Sequence, residues 1–174
     1  MGVFDTDGND ATGHEQVVFC QDRHSGLKAI IGIYSTALGP ALGGTRFYPY
    51  ESEEAALTDV LNLSRGMAYK NALAGLDLGG GKGVVLADKP GATISEAQLV
   101  AFGRAVESLG GRYVTAEDVG MSEARMKVIA GETRYVSGLP VAQGAAGGDP
   151  GPYTAHGVYP VSYTHLTLPT ILRV

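Results

Sequence analysis

Short apolar segments alternate with amphipathic helices along this chain, and this alternation limits the possible folds more than any other feature. The predicted strands are 16–20, 27–34, 83–87 and 112–116, and the predicted helices begin after Ser52, Ser95 and Ser122. A turn-like segment separates the first two strands, so a hairpin is the simplest connection between them. Strands interleaved with helices are typical of an open, largely parallel sheet with flanking helices. The predicted fold class is therefore α/β.

Local signals mark the starts of these helices. Ser52 is a favourable N-cap, and Glu53 and Glu54 follow it in the first turn. Apolar residues of this first helix recur at helical spacing on one face: Leu57, Val60, Leu61 and Met67. Ser95 and Gln98 form a capping-box pattern at the start of the second helix.

Loops and one short helix account for the rest of the pattern. Segments rich in glycine and proline predict loops at 38–44 and 143–152. A helix opening follows at Thr154. Pro160 is expected to stop that helix after about two turns, because proline has no backbone N–H and clashes with the preceding turn.

Composition places the chain among soluble, single-domain proteins. Its 174 residues are 44% hydrophobic, which suits a real core, and no run approaches the roughly 18 apolar residues of a membrane span. The net charge of −5 and the lack of basic clusters argue against a nucleic-acid partner. The four histidines lack ligand spacing, so no metal site is predicted. Cys20 is the only cysteine, which favours a reducing, cytoplasmic location.

Two lysines, Lys70 and Lys82, lie in one apolar, glycine-rich stretch, although lysine side chains usually lie in water. Three glycines precede Lys82 and let the backbone approach a ligand closely. In a pocket, an amine can bind a carboxylate, or it can lose its proton and act as a base. The alternative is a surface loop with two ordinary lysines, but the stretch favours the pocket.

The Gly-Gly-Gly-Lys sequence does not fit a phosphate-binding loop. That loop needs a glycine six positions before the lysine and Ser or Thr after it, whereas this chain has Leu76 and Gly83 there. The sequence also lacks a G-x-G-x-x-G dinucleotide fingerprint.

Two further segments offer chemistry near Lys82. Glu117 and Asp118 follow a predicted strand, and ligands gather at the carboxyl ends of strands in such sheets. The two carboxylates either supply an acid or base beside Lys82 or form a solvated turn, and their pattern leaves both open. The segment at 40–46 offers glycine N–H groups that could bind an anion.

Four motifs carry a resemblance to a known family. They are Gly-Pro-Ala-Leu-Gly-Gly-Thr-Arg at 39–46, Gly-Met-Ala-Tyr-Lys-Asn-Ala at 66–72, Gly-Gly-Gly-Lys at 79–82 and Arg-Tyr-Val-Thr-Ala-Glu-Asp-Val-Gly at 112–120. In order and spacing they resemble the Glu/Leu/Phe/Val dehydrogenases, above all the bacterial valine and leucine enzymes, over residues 14–159. The resemblance implies an enzyme that oxidatively deaminates a branched-chain L-amino acid to the 2-oxo acid and ammonia, passing hydride to NAD.

The same resemblance implies roles for individual residues. Lys70 would bind the substrate carboxylate, helped by backbone at Gly43 and Gly44. Lys82 would be the general base that activates water, and Asp118 would assist proton transfer at the amine. The pocket for the substrate side chain would be lined by Leu42, Met67 and Ala116.

NAD is the implied cofactor, and in this family a second domain holds most of it. Thr154 would face its nicotinamide end. The family assembles symmetrically through the first domain, which implies a homo-oligomer with the early hairpin strands as the candidate contact. The other implied partners are small-molecule amino acids and 2-oxo acids.

A lysine that acts as a base near neutral pH needs a lowered pKa. The pKa must move from about 10.4 to about 7–8. Burial lowers the pKa of an amine, and so does a nearby like charge. At Lys82 the glycine-rich wall would supply the burial and Lys70 the like charge.

The resemblance divides the chain into three parts. Residues 1–13 are expected to be a disordered lead-in, neither signal nor transit peptide, and 14–159 the substrate-binding and oligomerisation domain. Residues 160–174 are expected to be a non-native tail, because 161–170 resemble a translated transposase sequencing adapter; a divergent natural tail is the alternative. With the NAD-binding domain absent, the chain alone is expected to be inactive.

Alternatives remain for the preferred amino acid and for the functional class of the protein. Apolar Leu42 and Met67 favour valine or leucine, since glutamate would need a cation for its side-chain carboxylate, and phenylalanine stays open. A non-catalytic oligomerisation or amino-acid-binding module is the alternative from another class. The combination of Lys70, Lys82 and Asp118 argues against it.

Overall fold

The computed structural model describes residues 13–139, 148 and 150–171, with backbone only for 166–171. These residues form β1 Gln16–Asp22, β2 Leu27–Ser35, β3 Ala41–Tyr48, α1 Glu53–Leu73, β4 Gly79–Leu86, α2 Glu96–Ser108, β5 Tyr113–Ala116, α3 Glu123–Ala130 and α4 Gly151–Ile171. The predicted lead-in, apart from residue 13, and most of the loop predicted at 143–152 lie outside the described residues. None of the helices described is long and apolar enough to cross a membrane.

The five strands form one sheet in the order β1-β2-β4-β3-β5. β2 is antiparallel to both of its neighbours, whereas β3 is parallel to β4 and to β5. Of these five strands, four run in one direction and β2 runs against them, which confirms the largely parallel α/β fold. The predicted hairpin is also present, with Gln16 opposite Ile33 and Asp22 opposite Leu27.

Helices cover both faces of the sheet, because successive residues of a strand point to opposite faces. α1 packs on one face over a cluster formed by Ile30, Ala56, Val60, Leu61 and Val84. α2 and α3 pack on the other face over a larger cluster that includes Ile31, Ile33, Val85, Phe102, Val106 and Ile129. Each fully buried large side chain contributes about 1.5–3 kcal/mol, so these two clusters supply most of the stability.

Capping bonds confirm the predicted helix starts. At α1, Ser52 Oγ accepts from the Ala55 N–H at 3.0 Å. At α2 the capping box has both arms: the Gln98 N–H donates to Ser95 Oγ at 3.2 Å, and the Ser95 N–H donates to Gln98 Oε1 at 3.0 Å. Ser122 precedes α3 as predicted, without a side-chain capping bond.

The loop predicted at 38–44 is wrong, because β3 begins at Ala41 and carries Gly43 and Gly44. β4 likewise begins at Gly79, before the predicted start at Gly83. Glycine is depleted in strands because it has no side chain to pack, but here the neighbours leave no room for one. A Cβ on Gly43 would lie 1.6 Å from the Gly81 carbonyl oxygen. Close backbone approach therefore explains these glycines.

The expectation that Pro160 ends a helix begun at Thr154 is also wrong. α4 begins at Gly151 and continues through Pro160 to Ile171. Proline removes one backbone hydrogen bond and costs roughly 3 kcal/mol inside a helix, but residues after it can keep helical backbone. The Thr164 hydroxyl donates to the Pro160 carbonyl at 3.1 Å, one turn further along the same helix.

Candidate active site

A cleft of about 370 Å³ opens where β3, β4 and the segment after β5 face α1 and the start of α4. Its lining contains all nine residues to which the resemblance gives a role: Leu42, Gly43, Gly44, Met67, Lys70, Lys82, Ala116, Asp118 and Thr154. The lining also contains Glu117, which the sequence singled out only as a carboxylate. Sequence reasoning missed four further lining residues: Ser137, Gly138, Gly148 and Pro150.

Ser137 and Gly138 reach the cleft through a short extension beside β5. The Ser137 N–H donates to the Thr115 carbonyl at 2.7 Å, and the Thr115 N–H donates to the Tyr135 carbonyl at 3.0 Å. One isolated bridge, between Thr115 and Val136, makes this pairing. A single bridge leaves no alternating pattern in the sequence, so no signal was available to find it.

The parallel register places Asp118 beyond the carboxyl end of β5. Gly44 of β3 lies beside Ala116, the last residue of β5. The chain then passes over Gly44 so closely that a Cβ there would lie 2.6 Å from the Glu117 carbonyl oxygen and 2.9 Å from Asp118 Cβ. Glycine at position 44 therefore lets Asp118 extend across β3 toward β4.

Lys82 lies in the middle of β4 and is only 5% exposed. Its Nζ lies 2.7 Å from Asp118 Oδ2. Burial lowers the pKa of the Lys82 amine, the contact with Asp118 opposes that effect, and the charge of Arg46 lowers the pKa further. The net result is a pKa below the ordinary value, which suits a general base. The like charge that acts on Lys82 is thus Arg46, where the sequence suggested Lys70.

Asp118 joins Lys82 to a second cation. Its Oδ2 also accepts from Arg46 Nε at 3.0 Å. Burial alone would raise the pKa of Asp118, but the hydrogen bonds and charges of Lys82 and Arg46 outweigh it and hold the pKa below its usual value. Asp118 is therefore an ionised carboxylate between two cations.

Arg46 is held in turn from the side of α1. Its Nη1 lies 2.9 Å from Asp59 Oδ2, and the Tyr50 hydroxyl donates to the same Asp59 oxygen at 2.6 Å. Burial raises the pKa of Tyr50, and so does the bond to Asp59, so the phenol keeps its proton and remains the donor. Sequence reasoning assigned no role to these three residues.

Lys70 differs from Lys82 in its environment. It lies in the last turn of α1, and its exposed side chain lines the cleft. Of the two lysines in the glycine-rich stretch, Lys82 is buried and Lys70 is exposed, although the sequence favoured a pocket around both. In the part of the chain that the structure describes, no carboxylate forms an ion pair with Lys70. Its ammonium group can therefore receive an anion from a ligand.

The apolar part of the cleft consists of Leu42, Met67 and Ala116. All three are partly buried, and a Cβ on Gly43 would lie 3.3 Å from Met67 Cγ. Thr154 contributes an exposed hydroxyl from the first turn of α4. The cleft therefore combines one exposed cation, one partly buried ion pair and an apolar wall.

The fold is that of amino-acid dehydrogenases. The crystal structure of L-tryptophan dehydrogenase from Nostoc punctiforme matches 71% of this chain and 36% of its own, with a TM-score of 0.67 and 49% sequence identity. Residues 14–135 match the family model described as Glu/Leu/Phe/Val dehydrogenase, dimerisation domain. That match covers more than half of the chain, which belongs to this family, as its four motifs predicted.

Within this family, the chain is similar to dehydrogenases named for valine and for leucine. Valine dehydrogenase from Streptomyces virginiae is 64% identical over 151 residues, which are 87% of this chain and 42% of the relative. Leucine dehydrogenase from Bacillus subtilis (strain 168) is 58% identical over 146 residues, 84% of this chain and 40% of the relative. The chain therefore spans less than half the length of these relatives.

Proposed function

We propose that this chain is the amino-acid-binding domain of an NAD-dependent dehydrogenase that oxidatively deaminates valine or leucine. The observation that carries the proposal is the 2.7 Å ion pair between buried Lys82 and Asp118, in a cleft that Lys70 also lines. The similarity to a valine and a leucine dehydrogenase supports the substrate class. Because the chain spans less than half of those relatives, the activity is proposed for a longer protein of which it forms part.

The environment of each side chain supports the roles that the family resemblance implies. Lys70 would bind the substrate carboxylate, since its exposed ammonium lines the cleft with the backbone of Gly43 and Gly44. Lys82, with its lowered pKa, would take a proton from the water that attacks the imine carbon. Asp118 would accept and return protons at the substrate nitrogen.

The substrate side chain would lie against Leu42, Met67 and Ala116. No cation belongs to this apolar group, so an aliphatic side chain fits better than the carboxylate of glutamate. An aromatic substrate such as phenylalanine is the second candidate, and the similarity to a protein named tryptophan dehydrogenase favours it. A module that binds amino acids without catalysis is the alternative from another class.

Thr154 is the residue of this chain proposed to contact the cofactor. NAD, when bound, accepts the hydride from the α-carbon of the amino acid. The Thr154 hydroxyl fits a polar contact at the cleft, because it is exposed and lines it. The sequence has no G-x-G-x-x-G turn to receive the pyrophosphate, so residues outside this chain would hold most of the cofactor.

We further propose that the protein self-associates through β1. This strand lies at the edge of the sheet, and Phe19 on it is 67% exposed. An unpaired strand edge is a template for pairing with another chain, and the matching family model is described as a dimerisation domain. Sedimentation should show a lower association state for Phe19→Lys than for wild type, and equal states would contradict the contact.

A hybrid enzyme tests the proposed activity. Residues 14–159 would replace the matching segment of the Streptomyces virginiae valine dehydrogenase, and NADH formation would be followed with L-valine, L-leucine, L-phenylalanine and L-glutamate. We expect valine or leucine to be preferred and the 174-residue chain alone to be inactive. A folded hybrid that binds amino acids without turnover would favour the non-catalytic module, and a preference for phenylalanine would favour the aromatic candidate. Hydride transfer by the chain alone would contradict the expected inactivity.

Two sequence-based interpretations remain proposals. The genomic sequence of the source would show whether residues 160–174 are a non-native tail, because the native reading frame would then diverge after about residue 159. Fractionation of the source cell would test the cytoplasmic location.

A further inference from the structure

We propose that Arg46 is a positioning residue that holds Asp118 by its Oδ2 oxygen and leaves Oδ1 to meet the substrate's amino group. Lys82 Nζ and Arg46 Nε both bind Oδ2, at 2.7 and 3.0 Å. Among the described residues, no hydrogen bond or ion pair reaches Asp118 Oδ1. The two carboxylate oxygens are therefore unequal, and this assignment rests on the proposed function of the cleft.

Arg46 is suited to this task because two carboxylates fix its plane. Nε binds Asp118 and Nη1 binds Asp59, so the guanidinium bridges the segment after β5 and helix α1. The Tyr50 hydroxyl holds the Asp59 oxygen at 2.6 Å. A guanidinium donates in a rigid fork, whereas a lysine ammonium is a point charge on a flexible stem. Lysine at position 46 would keep the charge and lose the bridge.

Arg46 acts through Asp118, because it is not among the residues that line the cleft. Its charge also reaches Lys82, and removing it would raise the pKa of both Lys82 and Asp118. Several neighbouring elements place titratable or charged groups around Lys82 and Asp118. These groups are Arg46 from β3, Asp59 and Lys70 from α1, Tyr50 before α1, Tyr113 from β5 and Glu117 after it.

The test uses the hybrid enzyme with three variants. Arg46→Gln removes the charge and the bridge, Arg46→Lys removes only the bridge, and Asp59→Asn weakens the anchor. Arg104→Gln is the matched control, because Arg104 Nε also binds a carboxylate, that of Glu132, at 2.9 Å, but its side chain lies exposed on the outer side of α2. We expect kcat to fall about tenfold to a hundredfold in Arg46→Gln and Arg46→Lys, as a misplaced catalytic group predicts. KM for the amino acid should change much less.

The pH profile separates charge from geometry. In Arg46→Gln the acid limb of kcat/KM should move to higher pH, since both pKa values rise when the cation is removed. In Arg46→Lys the limb should stay near that of wild type while kcat remains low. A uniform loss of activity with no movement of the limb in Arg46→Gln would overturn the proposal, and so would a kcat equal to that of Arg104→Gln.

A second measurement needs no activity. In the 174-residue chain, NMR titration of the Asp118 carboxyl carbon should give a higher pKa in Arg46→Gln than in wild type. An unchanged Asp118 titration in a folded variant would overturn the assignment of Arg46. An inactive hybrid with the expected titration shift would instead count against the proposed function and leave the contact in place.

Discussion

The phenolic OH of Tyr113 donates a 2.7 Å hydrogen bond to the carbonyl oxygen of Gly43, from the face of the sheet that α2 and α3 cover. The same OH lies 3.3 Å from Thr45 Oγ1, which lies 2.6 Å from Thr115 Oγ1. Burial raises the pKa of Tyr113 to about 12, so the phenol remains a donor at neutral pH. The buried Tyr113 hydroxyl thus fixes the peptide group of Gly43, which borders the proposed binding site for the substrate carboxylate.

Tyr113→Phe should destabilise the chain and disturb the cleft. The variant leaves the buried Gly43 carbonyl without this donor, which costs about 1–3 kcal/mol. Urea unfolding of the 174-residue chain measures that loss, and in the hybrid enzyme the KM for valine should rise. Tyr135→Phe is the control, because the Tyr135 hydroxyl accepts from Arg134 at an exposed site. Equal stability of the two variants would show that the Tyr113 bond contributes little.

Lys82→Ala should nearly abolish turnover and keep the fold. General-base catalysis typically contributes about 10²–10⁴-fold, so the kcat of the hybrid enzyme should fall by that factor. Circular dichroism would check that the variant is folded. Lys28→Ala serves as the control, since Lys28 forms an exposed pair with Glu53 at 3.4 Å. Wild-type turnover in Lys82→Ala would refute the role of this lysine.

Lys70→Ala should act mainly on substrate binding. Its exposed ammonium is proposed to bind the carboxylate, so the KM of the hybrid for valine should rise about tenfold or more, as the loss of a charged hydrogen bond predicts. Lys127→Ala removes an exposed lysine paired with Glu123 at 3.0 Å and should leave KM unchanged. An unaltered KM in Lys70→Ala would count against the assignment.

Acid should destabilise the fold partly through Asp118. The pKa of Asp118 in the folded chain lies below its ordinary 3.8, so its contribution is present above that value and is lost as pH falls through the folded pKa. Urea unfolding at a series of acid pH values should therefore show a smaller pH slope for Asp118→Asn than for wild type. The exposed Asp88→Asn is the control and should keep the wild-type slope. Matching slopes for Asp118→Asn and wild type would contradict this linkage.

Gly43→Ala and Gly66→Ala should change stability in opposite directions. A Cβ at position 43 would collide with the Gly81 carbonyl, whereas nothing lies within 4 Å of a Cβ at position 66 in α1. Gly43→Ala should therefore fail to fold, and Gly66→Ala should gain about 0.5–1 kcal/mol from helix propensity. Thermal unfolding of both variants checks the pair. A folded Gly43→Ala of wild-type stability would show that the strands can separate at little cost.

Local signals predicted much of the fold, because they lie within a few residues of one another. The Ser95–Gln98 capping box needs only four positions, and the α1 stripe repeats within one helix. The strands that contain Gly43 and Gly79 could not be found this way. These strands carry glycine because neighbouring strands and loops come too close for a side chain, and no local pattern in the sequence signals that proximity.

The candidate site was predictable as far as its motifs extended. Motif position brought Lys82 and Asp118 to one cleft, although 36 positions separate them. The ion pair by which Asp59 holds Arg46 was not predictable. Asp59 lies on a helix whose position against β3 is known only once the sheet is assembled, and an acidic residue in a helix is usually a solvated one.

β4 lies between β2 and β3, and Lys82 stands opposite Gly32 within this central strand. A strand paired on both edges and covered on both faces cannot shift without dismantling the sheet. The backbone of Lys82 is therefore held from both edges of the strand, and only its side chain can adjust to a ligand. Changes meant to alter the size of the ligand should therefore be made at lining residues outside this strand, first at Leu42, Met67 and Ala116, and should leave β4 intact.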